Sequence, residues 1–400
     1  MWSQRDLSLK GKIVIVRSLA LSQLLYATSV MYVPEDFIIK VDKDIQSFIW
    51  NNKPPKIKKS TMISDISQGG LKMPLFSEIV KAHKVMWIKR LFEEKQCKWR
   101  VLAHTLMGLS KFELICKFSH IYLTTETTNF YKQVLQYWYE LHANEPAANL
   151  VHREIIWNNK FILIDNKPIN HQYKHWQNNG ITRIEDIIND RGCIISRRSL
   201  SNKYDMHITH MEYTCLMASI PQRWKDLLKL NKRSDCADVF NNKIIINNTY
   251  YEVKSLSSKL IEQLLILRIS KHPTAIPIWI DEFPFLNDAD FSDYFSLINK
   301  ITKDTKIQIF QYKLLNRIIA CQTNLKKWKI TDHESCRMCG NTEAIEHLFF
   351  SCPHTKSFWK QLQNWFCTSF QTNIRLSMVD ILVSIPYLSN AVRQQGLVYL

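Results

Sequence analysis

The sequence predicts a mainly α, multi-lobed helical protein with a few short β-hairpins. Glycine is scarce, at 8 of 400 residues, while hydrophobic residues make up 46% of the chain. Scarce glycine disfavours doubly wound nucleotide-binding folds, because those folds need glycines where the backbone closely approaches phosphate. The hydrophobic share is sufficient for a packed core, and the length is typical of two or three domains.

Apolar residues recur at helical spacing near the N-terminus. Ser8 is a suitable cap for a helix from about residue 10 toward residue 34, and a second helix is predicted over 37–50. Two asparagines and two prolines within 51–55 should end that helix. A further helix is expected to begin with Ser77 as its cap.

The middle of the chain combines predicted helices with two short hairpins. Residues 101–150 contain few turn-forming residues and are predicted to be helical. Apolar runs broken by Asp-Asn-Lys and Asn-Asn-Thr predict the hairpins, at 161–167 and 244–253. A helix is predicted over 258–269, whereas 281–293, with five acidic residues and no basic one, is predicted to be a solvated loop.

The net charge of the chain is +17, which predicts a polyanionic partner, either nucleic acid or an anionic membrane surface. The excess is uneven, since residues 1–100 hold 18 Lys and Arg against 9 Asp and Glu. The alternative is an ordinary soluble surface with spare lysines.

Cysteine usage and the apolar run near the N-terminus bear on the compartment. Ten cysteines are scattered with one close pair, which predicts reduced thiols in a cytoplasmic and nuclear protein. The apolar run at 13–33 is barely long enough to span a membrane and includes Arg17, so we expect neither membrane insertion nor secretion.

The most specific local motif is a cysteine–histidine cluster near the C-terminus. Cys336, Cys339, His347 and Cys352 follow C-x2-C-x7-H-x4-C spacing, with Gly340 after the first pair. Three thiolates and one imidazole are a usual tetrahedral zinc set, and with four protein ligands the site would be structural.

The residues around this cluster predict its local secondary structure. Residues 343–351 should form a short helix that stops at Pro353. His333 and His354 are close enough in sequence to compete as ligands. The alternative to a metal site is that the four residues are ordinary buried side chains.

Two basic stretches are candidates for nucleic-acid contact. The first is a loop with two prolines, and the second surrounds a tryptophan just before the cysteine cluster. An aromatic ring among lysines can stack a base while the ammonium groups meet phosphates. The alternatives are a solvated charge run and a packing tryptophan. The candidate residues are Lys53, Lys56, Lys58, Lys59, Lys326, Lys327, Trp328 and Lys329.

Candidates for catalysis are weak, and we predict no catalytic residue. Two-metal polymerisation needs paired carboxylates, but the chain has no Asp-Asp dipeptide. The pairs Asp42/Asp44 and Asp288/Asp290 are separated by one residue, which on a helix would not place them on one face. His171/His175 and His207/His210/Glu212 lack a clear third ligand with a base and are more often surface or satisfied residues.

The chain contains, in this order, WSQRDLSLKGKIVIVRSLALSQLLY, FIWNN, ISQGGLKMPLF, IIWNNKFILIDNKPI, HWQNNGITRIEDI and the CRMCG and EHLFFSC segments. This ordered series resembles the C-terminal half of vertebrate LINE-type (non-LTR) retrotransposon polyproteins. The opening WSQRDLSLKGKIVIVRSLALSQLLY is similar to the thumb that follows their polymerase palm. FQYKLLNRI, LKKWKI and the CRMCG and EHLFFSC segments resemble the family's terminal cysteine–histidine motif.

The resemblance implies an order of regions along this chain, and it implies which catalytic domains of the family this sequence does not include. It implies a thumb-like helical region with a basic loop at 1–100, a helical linker region with short hairpins at 101–305, a zinc-knuckle-like module at 306–370 and a C-terminal tail at 371–400. The family's endonuclease and palm would precede Met1, and its aromatic-x-Asp-Asp element is absent from this chain.

The resemblance also implies a function. We expect the chain to bind RNA template or target DNA for a reverse transcriptase, to hold one structural Zn²⁺, and to be inactive as an enzyme alone. Its expected partners are RNA, DNA and a palm-containing reverse transcriptase, with no membrane. Two rivals remain: a catalytically inert or domesticated helical scaffold for protein interaction, and an enzyme fragment that is a reverse transcriptase by inheritance only.

Overall fold

The computed structural model describes residues 5–93, 98–107, 128–141, 151–152, 154–157, 159–169, 173–230, 243–247, 249–371 and 376–383. The described chain is mainly helical with two short hairpins, which confirms the predicted fold class. Its helices are α1 (Leu9–Ile15), α2 (Leu21–Val30), α3 (Glu35–Ile49), α4 (Lys59–Met62), α5 (Phe76–Phe92), α6 (Lys98–Met107), α7 (Asn129–Leu141), α8 (Lys174–Asn178), α9 (Arg197–Lys203), α10 (His210–Ser219), α11 (Gln222–Leu230), α12 (Ser258–Ile269), α13 (Ala275–Glu282), α14 (Asp290–Ile301), α15 (Thr305–Leu315), α16 (Gln322–Lys327), α17 (Pro353–Phe370) and α18 (Met378–Leu382).

Two antiparallel hairpins form where the sequence predicts them. Strands β1 (Leu163–Ile164) and β2 (Lys167–Pro168) pair around a turn in which Asp165 and Asn166 both have positive φ. Strands β3 (Lys243–Ile246) and β4 (Thr249–Glu252) form the second hairpin. Asp and Asn tolerate this left-handed conformation better than other side-chain-bearing residues, which explains the break in each apolar run.

The chain folds into two compact units. Unit 1 comprises 1–23, 40–75 and 269–400, and unit 2 comprises 24–39 and 76–268. Unit 1 contains the cysteine–histidine cluster and both predicted basic stretches. Because the first basic stretch lies far from the other two segments in the sequence, only folding brings it into the same unit.

A buried lysine anchors the first basic stretch of unit 1. Ser8 caps α1 as predicted, since its hydroxyl accepts a hydrogen bond from the Gly11 amide at 3.1 Å. Lys12, on the same helix, donates to the carbonyls of Phe48 at 3.0 Å and Ile49 at 3.2 Å. The carbonyls at a helix C-terminus lack intrahelical partners and carry partial negative charge. Lys12 therefore fixes the end of α3, where the basic loop begins.

Unit 2 contains a core that is rich in tryptophan and isoleucine. Twenty buried residues between Val151 and Leu228 pack together, among them Trp157, Trp176 and Trp224. The indole of Trp157 donates to the Ile181 carbonyl at 2.6 Å, so its polar atom is satisfied inside the core. We call residues 151–228 the tryptophan core.

Some boundaries differ from those expected from the sequence. Helix α12 has the predicted bounds, but α5 begins one residue before Ser77, because the fully buried Phe76 is already part of it. The predicted loop at 281–293 is wrong at both ends: α13 ends at Glu282, and α14 begins at Asp290. The acidic residues there flank Phe291, which is 1% exposed. Parts of the predicted helix at 101–150 lie outside the described residues.

One helical run in the described chain is long and apolar enough to cross a membrane by length and composition. It covers the 22 residues of Leu9–Val30 and contains a π-helical turn at Val16–Ala20. Core helices and N-terminal signal sequences pass the same test. Length and composition therefore do not decide between them, and the absence of a membrane partner stays a prediction.

Candidate metal centre and basic surface

The first two cysteines of the cluster lie on a small hairpin. The Cys336 amide donates to the Asn341 carbonyl at 2.7 Å, and the Gly340 amide donates to the Cys336 carbonyl at 2.9 Å. Gly340 has φ +78°, a left-handed conformation that glycine adopts without a steric penalty. The turn directs the thiols of Cys336 and Cys339 toward one point, as the C-x2-C-G spacing predicts.

A π-helical turn brings His347 and Cys352 together. The turn covers His347–Ser351, and the Cys352 amide donates to the His347 carbonyl at 2.9 Å, five residues back. Five residues exceed one turn of an α-helix but match the hydrogen-bonding repeat of a π-helix. The x4 spacing between the two ligands therefore fits this unusual turn. Pro353 does end it, but it also occupies the first position of α17.

The four predicted ligands converge. Their ligand atoms all lie within 4.8 Å of one another. The Cys339 Sγ is 3.2 Å from His347 Nε2 and 4.0 Å from Cys352 Sγ. A tetrahedral zinc ion with Zn–S bonds of about 2.3 Å places its sulfurs roughly 3.8 Å apart, so these residues fit the ion. His333 and His354 are exposed and do not belong to the group.

The local electrostatics of the cluster favour a cation. Burial disfavours the Cys352 thiolate, but it is outweighed by hydrogen bonds with the Cys339 and Cys336 thiols and, more strongly, with the backbone amides of His354 and Thr355, which together lower the pKa of Cys352. The two amides lie at the start of α17, where backbone N–H groups without helical partners stabilise an anion. The Asn341 amide favours the Cys339 thiolate, yet burial and the neighbouring thiols raise the pKa of Cys339 on balance. A divalent cation relieves this crowding of negative charge.

An arginine outside the motif holds the π-helical turn in place. Arg317 bonds to Glu282 at 2.8 Å and pairs with Glu346, the residue before His347. Its guanidinium also lies 4.2 Å from the ring centroid of Trp279. No local pattern in the sequence indicates this role, because the four groups come from three separate segments. We call Arg317 with Glu282, Glu346 and Trp279 the Arg317 clamp. The clamp links α13 to the ligand-bearing turn.

The two basic stretches meet at Trp328. The ammonium Nζ of Lys56 lies 3.4 Å from the ring centroid of Trp328. Trp328 closes α16 in a Schellman motif, in which the Ile330 amide donates to Leu325 at 2.9 Å while Lys329 has φ +57°. The structure thus joins two segments that the sequence presents only as separate candidates.

The other candidate lysines divide into paired and exposed ones. Lys59 lies 3.7 Å from Asp42, and Lys326 lies 3.3 Å from Glu334. The remaining candidates, Lys53, Lys58, Lys327 and Lys329, are exposed. Sequence reasoning missed Lys313, whose charge acts on Lys56. It lies in the segment FQYKLLNRI, where no run of basic residues marks it.

The weaker histidine candidates show no comparable convergence. Within the described ranges, the cysteine–histidine cluster is the only group of three or more potential ligands that was found. His171 lies outside the described residues. His175 Nε2 is 3.3 Å from a Glu212 oxygen, and the other Glu212 oxygen accepts from the Thr209 hydroxyl at 2.9 Å. Glu212 therefore serves a capping box at the start of α10.

A family model matches the segment of the chain that contains the cysteine–histidine cluster. Residues 287–359 match a family described as zinc-binding in reverse transcriptase. This segment includes all four converging ligands, and the match and the cluster together suggest one zinc site. The match supports a protein related to reverse transcriptases. A search of curated proteins gave no match.

Proposed function

We propose that this chain is the thumb-side and C-terminal nucleic-acid-binding part of a LINE-type reverse transcriptase. One observation supports the proposal: unit 1 contains both the Lys56–Trp328 contact and the cysteine–histidine cluster, which lies in the segment that matches a family described as zinc-binding in reverse transcriptase. The phosphates of RNA template or target DNA would contact the exposed lysines. The reduced thiols suit the cytoplasm and the nucleus.

The cluster would hold one structural zinc ion. Cys336, Cys339 and Cys352 would bind as thiolates and His347 through Nε2, and the ion would cross-link the hairpin to the π-helical turn. Four protein ligands leave no open coordination position for a reacting water, which favours a structural over a catalytic role. The segment before the hairpin, with Trp328 at the end of α16, would then be held at a fixed distance from the basic loop.

A salt titration tests nucleic-acid binding. If lysines contact phosphates, the logarithm of affinity should fall linearly with the logarithm of salt concentration, because counterions are released. The triple variant Lys53→Ala, Lys56→Ala and Lys58→Ala should reduce that slope by about 2 for a single strand, at roughly 0.7 per lost phosphate contact. Fluorescence anisotropy with labelled RNA and DNA measures both quantities.

An exposed lysine after α14 provides the control. Lys303→Ala removes one positive charge there. It should change the slope by less than the roughly 0.7 expected for one lost phosphate contact. Affinity that does not depend on salt, or an unchanged slope in the triple variant, would favour a protein-binding scaffold instead.

We also propose that the chain alone lacks polymerase activity. The sequence offers no Asp-Asp pair to hold two Mg²⁺ ions. Primer extension with purified protein, RNA or DNA template, and Mg²⁺ or Mn²⁺ should yield no product. Template-dependent product that persists after contaminating polymerases are removed would contradict this.

A further inference from the structure

The contact between Lys56 and Trp328 has a feature that ordinary core packing lacks. Lys56 is exposed, Trp328 is half-buried, and the Lys56 ammonium sits 3.4 Å from the ring centroid. One ring face is thus covered by the end of a long, flexible side chain. A lysine can leave such a position by rotating its four-carbon stem, whereas a buried side chain cannot.

The charges around this ring are positive. The pKa of Lys56 is lowered, first by partial desolvation of its ammonium and then by the charges of Lys313 and Lys53. The ammonium that covers the ring is therefore itself acted on by two further positive charges. A cation–ring attraction at an exposed site is modest, and like charges oppose it. An anion placed among them would relieve the repulsion.

The ammonium occupies the plane in which a base would stack. Successive bases of a nucleic-acid strand are about 3.4 Å apart along the strand. The same distance separates the Lys56 ammonium from the centre of Trp328. The Schellman motif fixes the backbone of Trp328, because this residue closes α16 and its amide donates to the Asn324 carbonyl at 2.9 Å. The point from which the indole projects is therefore fixed before a base arrives.

We propose that Trp328 is a stacking platform for one unpaired base of single-stranded nucleic acid, and that Lys56 covers it in the free protein. When the base enters, Lys56 moves from the ring to a neighbouring phosphate, and Lys53 and Lys313 lie beside the same backbone. This rests on the proposed nucleic-acid binding and adds a defined site to it. A duplex should not use the site, because both faces of its bases are already stacked.

The test compares two single strands of about 12 nucleotides, within the range of known single-strand site sizes, of which one carries bases and one is abasic. Both have the same phosphate charge. The parent protein should prefer the base-bearing strand by about tenfold, a typical gain from one stacked base. Trp328→Leu, which keeps apolar bulk without an aromatic face, should abolish the preference. Trp328→Phe should retain most of it.

A double-mutant cycle tests the exchange of Lys56 for the base. Lys56→Ala removes a phosphate contact but also uncovers the ring, so its cost in affinity should be at least about threefold smaller when Trp328 is present than in Trp328→Leu. Lys303→Ala, the matched control, should cost the same in both backgrounds. Retained zinc content and circular dichroism establish that each variant is folded.

The outcomes separate the stacking site from nucleic-acid binding in general. If Lys56→Ala costs the same or more in the presence of Trp328, or if Trp328→Leu keeps the base preference, the stacking site is wrong while salt-dependent binding can stand. If neither the parent nor any variant binds either strand, both proposals fail.

Discussion

The tryptophan core of unit 2 and residues 330–360 of unit 1, which we call the cysteine–histidine module, are stabilised in different ways. The tryptophan core buries twenty residues, among them three tryptophans. Between residues 330 and 360 the buried side chains are Cys336, Ile345 and Cys352, whereas Met338 is 64% exposed and Phe358 is 55% exposed. A region with so little apolar burial cannot offset its conformational entropy by the hydrophobic effect alone.

The difference shows what the ligand cluster contributes. Two of the three buried side chains in the module belong to the cysteine–histidine cluster, so the interior of the module is mostly that cluster. Zinc-finger peptides fold only when metal binds, and their binding free energy is their folding free energy. The Arg317 clamp ties the module to the rest of unit 1 but fills no interior. The module should therefore depend on metal, and the tryptophan core should not.

Metal removal should produce the largest effect. At neutral pH a strong chelator should unfold 330–360, since structural zinc contributes about 10–16 kcal/mol in small domains. Hydrogen exchange should lose protection there and keep it across the tryptophan core. Cys339→Ser should act likewise and lower the zinc content below one ion per chain, the stoichiometry of a four-ligand site.

Matched variants complete that comparison. Cys193→Ser changes a half-buried cysteine of unit 2 outside the cluster and should leave the metal content unchanged. Trp224→Ala should destabilise the tryptophan core by about 3–5 kcal/mol, again with metal content unchanged. Full zinc occupancy after both Cys336 and Cys339 are replaced would contradict the assignment.

The candidate site was predictable from the sequence only in part. The spacing of Cys336, Cys339, His347 and Cys352 is a local signal, and one turn brings each pair together. The sequence did not indicate the π-helical turn. Whether this turn is α-helical or π-helical depends on where His347 and Cys352 must lie to meet Cys336 and Cys339. The Arg317 clamp and the Lys56–Trp328 contact join remote segments, which no local pattern records.

The fold shows the same division. Helix α12 and both hairpins follow from local periodicity and turn residues. The loop prediction at 281–293 was wrong because it rested on the acidic residues, whereas Phe291 and Leu286 between them are each only 1% exposed. Burial of an apolar side chain can hold charged neighbours in a helix, and that depends on tertiary packing.

A buried lysine of unit 2 should make the free energy of unfolding depend on pH. Lys84 in α5 is fully buried, it lies 4.2 Å from the Phe130 ring centroid, and burial lowers its pKa to about 8. Between pH 8 and 10.5 the unfolded chain binds more protons at this site than the folded one, so the free energy of unfolding rises with pH. The gain from this group should approach about 3 kcal/mol.

Denaturant titrations at pH 7.5 and pH 10, roughly on either side of the lowered pKa, measure this effect. Lys84→Met should lose the rise with pH that the parent shows and should be the more stable protein at the lower pH. Lys229→Met, an exposed lysine of the same unit, is the control and should keep the parent's pH dependence. An equal rise in the parent and in Lys84→Met would assign the effect to other groups.

The same substitution, glycine to alanine, can be compared at one position in each region, and its expected effect is the smallest. Gly340 in the cysteine hairpin has φ +78°, and Gly180 within the tryptophan core has φ +91°. A Cβ at either position would meet no described atom within 4 Å. Alanine should therefore cost only the backbone strain of the left-handed region, about 1 kcal/mol at each site. The chemical change is the same, but the property that responds should differ.

Gly340→Ala should weaken metal binding about fivefold, the equivalent of about 1 kcal/mol, because hairpin strain opposes convergence of the two thiols. Gly180→Ala should lower the free energy of unfolding of unit 2 by a similar amount and leave metal affinity unchanged. Asparagine tolerates positive φ, so Gly340→Asn should recover part of the loss. Zinc competition with a chromogenic chelator measures the first effect, and denaturant unfolding measures the second. If Gly340→Ala changed unit 2 stability instead, or Gly180→Ala changed metal affinity, the two regions would not be independent and the contrast between them would fail.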